Sequence, residues 1–120
     1  MTEEDKLLLG IDLSSRFPYI HGVKVFWIND VYDIIGIGFG RVTLIKPFMS
    51  ITAGSPLISE VKPLLIPIKD LDPGEGDLEW EILPDGRVVG ELAAFDFFNK
   101  NEIDYRGLIE RGLAMNKNNF

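Results

Sequence analysis

Tyr105, Leu108, Ile109 and Leu113 recur at spacings of three and four near the end of the chain. A run with that period hides its apolar side when it coils into a helix and packs on something else. Asp104 in front of it is a good N-cap, since its carboxylate can accept from the orphan amides of a first turn. Arg106 and Glu110, four apart on the opposite side, are placed to pair, an interaction of about 0.2–0.5 kcal/mol. Gly107 and Gly112 each oppose a helix by roughly 0.5–1 kcal/mol relative to alanine. Their presence predicts close approach of another backbone, within or between chains, or a helix end at Gly112. Upstream, Leu92, Ala93, Ala94, Phe95, Phe97 and Phe98 predict a helix apolar nearly all round and gripped from several sides. The chain is expected to end in two helices, split by Asn99-Lys100-Asn101, that close a core.

What precedes them must supply that core, and the composition sets its scale. The 120 residues, 46% of them hydrophobic, fit a single domain spanning 1–120. There is no cysteine, so neither a disulfide framework nor a thiolate metal site is available. A net charge of -7, with Lys and Arg scattered singly, opposes attraction to nucleic acid or an anionic membrane. No apolar run approaches the roughly 18–20 residues that span a bilayer, and the acidic start argues against a signal peptide. The expected setting is the cytoplasm, without nucleic-acid or membrane partners.

Thr2 can cap a helix whose first turn, Glu3-Glu4-Asp5, suits the positive end of its dipole. Leu9, Leu13 and Phe17 form a stripe widened by Leu8 and Ile11, and Pro18 ends the helix, placing it at about 3–16. From Ile20 the pattern turns to strands. Val23, Val25 and Trp27 alternate with Lys24 and Phe26, and Asn29-Asp30 turns into Val31–Gly38, a hairpin. Arg41 to Thr52 gives a third strand, with Pro47 pointing to an edge or a bulge. Leu57 to Ile68 carries Pro63 and Pro67, which favours an irregular extended segment over a regular central strand. Asp70 to Gly76 is a surface loop leading into Leu78, Trp80 and Ile82, an alternating strand, and Pro84-Asp85-Gly86 turns it back through Val88-Val89. The fold class expected is α+β, with a small twisted antiparallel sheet of about five strands, an N-terminal helix and two C-terminal helices packed on it.

Phe95 to Asn116 (FDFFNKNEIDYRGLIERGLAMN) resembles the C-terminal signature of a group of short uncharacterised proteins. These are encoded by anaerobic gut bacteria, often within prophages and mobile elements. Met1-Thr2-Glu3-Glu4-Asp5-Lys6 with Leu7 to Leu9, Arg16-Phe17-Pro18-Tyr19 with Gly22 to Val25, and Val61 to Pro67 are similar to the same group. The likeness therefore covers both ends and one central motif. The chain departs from it at Asn101-Glu102, where a His pair is common, at Leu64, where an aromatic is common, and at Ile68-Lys69-Asp70, in place of a Ser-Ser-Met step. The first departure removes any metal or acid–base role that might be carried over. The resemblance implies a phage or mobile-element setting and no particular activity.

The remaining constellations have bland readings. Gly36-Ile37-Gly38-Phe39-Gly40 lacks dinucleotide spacing, a following helix and a Gly-Lys-Ser/Thr ending, so it reads as a glycine-rich turn or bulge between strands. Asp70, Asp72, Glu75, Asp77, Glu79, Glu81 and Asp85 do not fit the helix-loop-helix calcium pattern and read as a solvated acidic face, with a cation site or a docking surface for a basic partner as alternatives. His21, the single histidine, has no Cys and no second His beside it in sequence, and the serines lack a nucleophile-elbow context. Phe26, Trp27, Tyr32, Phe39 and Phe48 read as core, the alternative being a binding platform. Tyr105 reads as packed, and Arg106 as paired with Glu110 or capping a carbonyl, although the two could form a functional pair.

These readings name no catalytic, cofactor-binding or metal-ligating residue and no cofactor. They point to a small non-enzymatic binding or adaptor protein of phage or mobile-element origin. It would meet a protein partner through an acidic face or an exposed aromatic patch, with Asp72, Glu75, Asp77, Glu79, Glu81, Tyr105 and Arg106 as the candidate surface. The alternative is a phage-encoded inhibitor of host defence that sequesters a nucleotide-type ligand or a host protein. An enzyme ranks third, and a concave pocket with two or more convergent ionisable groups would mark it. Homo-oligomerisation is left open by Gly107 and Gly112.

Overall fold

The computed structural model describes residues 1–17, 24–46, 51–71 and 78–120. Helix α1 (Glu3–Arg16) begins with a reciprocal capping box: the Thr2 hydroxyl accepts from the Asp5 amide at 3.0 Å, and the Asp5 carboxylate accepts from the Thr2 amide at 3.1 Å. Its buried face carries Leu9, Asp12, Leu13 and Arg16. The expected stripe ran instead through Phe17. That residue is exposed at the helix end, and a charged pair takes its place inside.

Strands β1 (Lys24–Trp27), β2 (Asp30–Gly38), β3 (Arg41–Ile45) and β4 (Thr52–Gly54) form an antiparallel meander. Two tight turns with left-handed central residues join the first three, Ile28-Asn29 and Phe39-Gly40, matching the right-handed twist of the flanking strands. A register shift between Ile34 and Gly36 puts a bulge in the glycine-rich run. Pairing of Val25 with Tyr32, Ile34 with Leu44 and Ile37 with Val42 sets these side chains on one face. There Leu9 and Leu13 of α1 join Val25, Val42, Leu44, Val61 and Leu65 in the larger core.

The sheet departs from the expected five antiparallel strands. Strand β5 (Lys62–Pro67) lies inside it, antiparallel to β1 and parallel to the two-residue strands β8 (Ile103–Asp104) and β9 (Met115–Asn116), giving seven strands in a mixed sheet. The prolines of β5 had argued against a central strand. They are tolerated because Ile66 donates toward β8, to the Glu102 carbonyl at 2.8 Å. By alternation, Pro63 and Pro67 turn their donor-less nitrogens to the opposite edge, where, among the described residues, β1 pairs with Lys62 and Pro63. The expected hairpin stands apart as β6 (Trp80–Ile82) and β7 (Val88–Gly90).

Helix α2 (Leu92–Lys100) is gripped from one side, not several. Ala94 and Phe98 are buried, while Leu92, Ala93 and Asp96 are exposed. Phe98 meets Trp80 and Phe95 edge-on at 5.5 and 5.8 Å and lies 5.6 Å from Tyr105, building a second core with Ile103.

The second C-terminal helix does not form. Residues 105–114 run as turns whose Gly107 and Gly112 have φ of +73 and +76, outside the helical region. Asp104 does capture amides, but those of Leu108 and Ile109 at 2.9 and 3.0 Å, two residues further on than an N-cap would. The apolar period is still used: Leu108 and Leu113 are buried in the larger core and Ile109 packs at its margin. The α+β class holds, with two α-helices among the described residues. No helix among the described residues is long and apolar enough to cross a membrane.

Candidate functional site

Three places gather side chains that could act on something else. The first is where α1, α2 and the C-terminal turns meet. Arg16 is wholly buried and donates to Asp12 through Nε and Nη2 at 2.9 and 3.0 Å, to the Phe98 carbonyl at 3.2 Å and to the Ile103 carbonyl at 2.7 Å. Arg106 donates to the same Asp12 carboxylate at 2.7 Å and to the Ser15 hydroxyl at 3.2 Å, and lies 4.3 Å over the Tyr105 ring. The Tyr105 hydroxyl donates to Asn99 at 3.0 Å. No buried side-chain polar atom among the described residues lacks a partner. Through these mutual bonds the cluster clamps three parts of the fold. Arg106 thus pairs with Asp12 and not with Glu110.

The second place is the outer side of α1 beside the β2–β3 turn. Leu7 and Ile11 are 66% and 48% exposed, and Phe39 projects from the turn fully exposed with φ of +53. Gly10, Ile37 and Ile58 floor the open furrow between them, with Lys6, Ser14 and Ser15 along its margin. A non-glycine residue in the left-handed region is uncommon, and a bulky aromatic there, with its ring in water, is less expected still.

The third is a cleft of about 240 Å³ between the β6–β7 hairpin and the 104–110 turns. Ile82, Val88 and Ile109 wall it, and Asp104, Glu110 and Lys69 reach it. With Tyr105, four ionisable groups line one concavity, which meets the mark set for an enzyme. Asp104 is nevertheless committed to two backbone amides.

Of the candidate surface, Asp72, Glu75 and Asp77 lie outside the described residues, as do His21 and Phe48. Glu79 and Glu81 are exposed on the β6–β7 hairpin, with the nearby Asp85 engaged by Arg87 at 2.7 Å. Tyr105 and Arg106 are half-buried in the clamp, and Tyr105 also lines the cleft beside the β6–β7 hairpin that carries those acids. The aromatics of the early strands do not form one platform. Trp27 and Tyr32 meet edge-on at 5.5 Å against the larger core, Phe26 faces the other way toward Phe120, and Phe39 stands alone at the turn. Among the described residues no three His, Asp or Glu side chains gather as a metal ion would need.

The buried Asp12–Arg16 pair was missed in the sequence although it had a signal. Leu9, Asp12, Leu13 and Arg16 occur at offsets of three, four and seven, one helical face. Comparison of the chain with protein-family models, with curated proteins and with solved structures gives no match.

Proposed function

We propose that the chain is a small non-enzymatic binding domain, of the phage or mobile-element setting that its C-terminal run suggests, acting in the cytoplasm on a protein partner. The surface assigned to that partner is the furrow between the outer side of α1 and the Phe39 turn. One observation carries this reading: the Phe39 ring is wholly in water on a strained backbone, next to Leu7 and Ile11. Monomeric domains seldom leave such apolar side chains adjacent and uncovered, and where they do, the patch marks an interaction site. Aromatic anchors are also the residues that most often dominate binding energy. The gathered charges of the clamp, being mutually satisfied, support a binding role over a catalytic one. An inhibitor of host defence that captures a host protein would use the same face.

A photo-crosslinking amino acid placed at position 39, and separately at Glu81 on the acidic hairpin, tests the assignment in the producing host. A discrete adduct from position 39 that disappears on Leu7→Glu/Ile11→Glu supports it. An adduct from position 81 alone, untouched by those changes, transfers the function to the acidic hairpin.

A further inference from the structure

The cleft beside the β6–β7 hairpin carries an inference independent of the docking face. Its 240 Å³ is the room of about eight water molecules at roughly 30 Å³ each, and is below the roughly 300–1,000 Å³ of sites for larger ligands. A nucleotide does not fit. A compound of about six to ten non-hydrogen atoms does, at the volume per atom of a condensed liquid.

The lining specifies its chemistry. Ile82, Val88 and Ile109 offer apolar walls, while Asp104 and Glu110 outnumber Lys69 among the charges that reach the space. Asp104 is 5% exposed and gives one lone pair of each oxygen to a backbone amide, at 2.9 and 3.0 Å, so its carboxylate is held fixed with further lone pairs left. Neither Glu110 nor Lys69 forms an ion pair with a described residue. A buried carboxylate with a second acid beside it favours a cation, and the walls favour an alkyl chain.

We propose that this cleft binds a small alkylammonium compound, its ammonium toward Asp104 and Glu110 and its alkyl group between Ile82, Val88 and Ile109. Two sources share that chemistry, a free amine and an α-amino acid with an apolar side chain. The acid would add a carboxylate for Lys69.

The test is amide NMR of the full chain titrated with isopentylamine, L-leucine and isocaproate as separate probes. Saturable shifts of the Gly86, Gly107 and Ile109 amides are expected with at least one of the first two and none with isocaproate. Glu110→Gln should weaken the responding probe by about tenfold, the effect of one charge-assisted contact. Ile82→Trp, at an exposed strand position, should fill the cleft and abolish the shifts while the thermal melt is kept. Leucine binding that Lys69→Ala weakens identifies the amino acid, and amine binding indifferent to that change identifies the free amine. No shift with either ammonium probe at about 10 mM, shifts with isocaproate, or shifts that survive Ile82→Trp would overturn the proposal.

Discussion

Arg16 and Asp12, one turn apart on α1 and both wholly buried, form a bidentate pair at 2.9 and 3.0 Å, and Arg106 joins it from the far end of the sequence at 2.7 Å. Removing the shared carboxylate leaves two guanidiniums facing each other without an anion between them. Asp12→Ala should therefore lose about 3–5 kcal/mol in urea unfolding, the cost of a broken buried pair. Arg106→Ala, at a partly exposed side chain, should lose less, about 1.5–3 kcal/mol. The double variant should fall short of the sum, since both remove the same contact. Equal, additive losses would contradict the shared-anion geometry.

Gly107 and Gly112 separate two accounts of the C-terminal run. If the run were helical, alanine at either position would stabilise it. With φ of +73 and +76, each alanine should instead destabilise by about 1–2 kcal/mol. Chemical denaturation of the two single variants gives the sign directly.

Gly90 is fixed by contact and not by its own backbone. A Cβ there would stand 2.7 Å from the Glu79 carbonyl oxygen and 2.8 Å from the Trp80 Cβ. Since the obstacle includes main chain, Gly90→Ala should pry β7 from β6 and lower stability by about 1–3 kcal/mol. The Trp80 fluorescence maximum should move to the red as its packing on Phe98 loosens.

Phe39 makes the opposite prediction. Asparagine accepts the left-handed region more readily than phenylalanine, and the ring gains nothing from burial within the chain. Phe39→Asn should leave the melting temperature unchanged or raised, while weakening recovery of the partner with the otherwise unaltered chain. A large loss of stability would mean that the ring packs within the fold.

Asp5 gives a pH signature. Its carboxyl is held below its ordinary value of 3.8, first by the Thr2 backbone amide, against a smaller opposing effect of burial, with the Thr2 hydroxyl and Arg111 adding to the depression. A depressed acid stabilises the fold above its unfolded value and stops doing so as pH falls through its folded one. Asp5→Asn should thus lower the melting temperature at neutral pH, by a difference that shrinks as pH falls below 3.8.

Local chemistry was legible in the sequence where it acted alone. The Thr2 cap and the bounds of α1, the turn after Trp27 and the β6–β7 hairpin rest on propensities that neighbouring segments do not override. The 104–114 run and β5 were misread because their outcome depends on distant partners. Tyr105, Leu108 and Leu113 have helical spacing, but two left-handed glycines and the side chain of Asp104 satisfy the backbone differently. Pro63 and Pro67 look like strand breakers until one knows that the donors of β5 are needed on its other edge. At the candidate site, the acids of 70–85 and Tyr105-Arg106 were grouped on one surface by residue type, whereas Glu79 and Glu81 are exposed and the pair is half-buried. Phe39 was counted as core because periodicity cannot tell a strand position from the turn beside it.

The clamp around Arg16 joins residues 82, 87 and 94 positions apart in sequence. A nascent chain lengthening by about 5–20 residues per second carries Asp12 and Arg16 for roughly 5–20 s before Arg106 has been made. During that interval α1 lacks the carbonyls and the second guanidinium that let its polar pair leave water. Closure of the interior then waits for residue 106, and a ribosome stalled before that codon would hold a chain with an unsealed first helix.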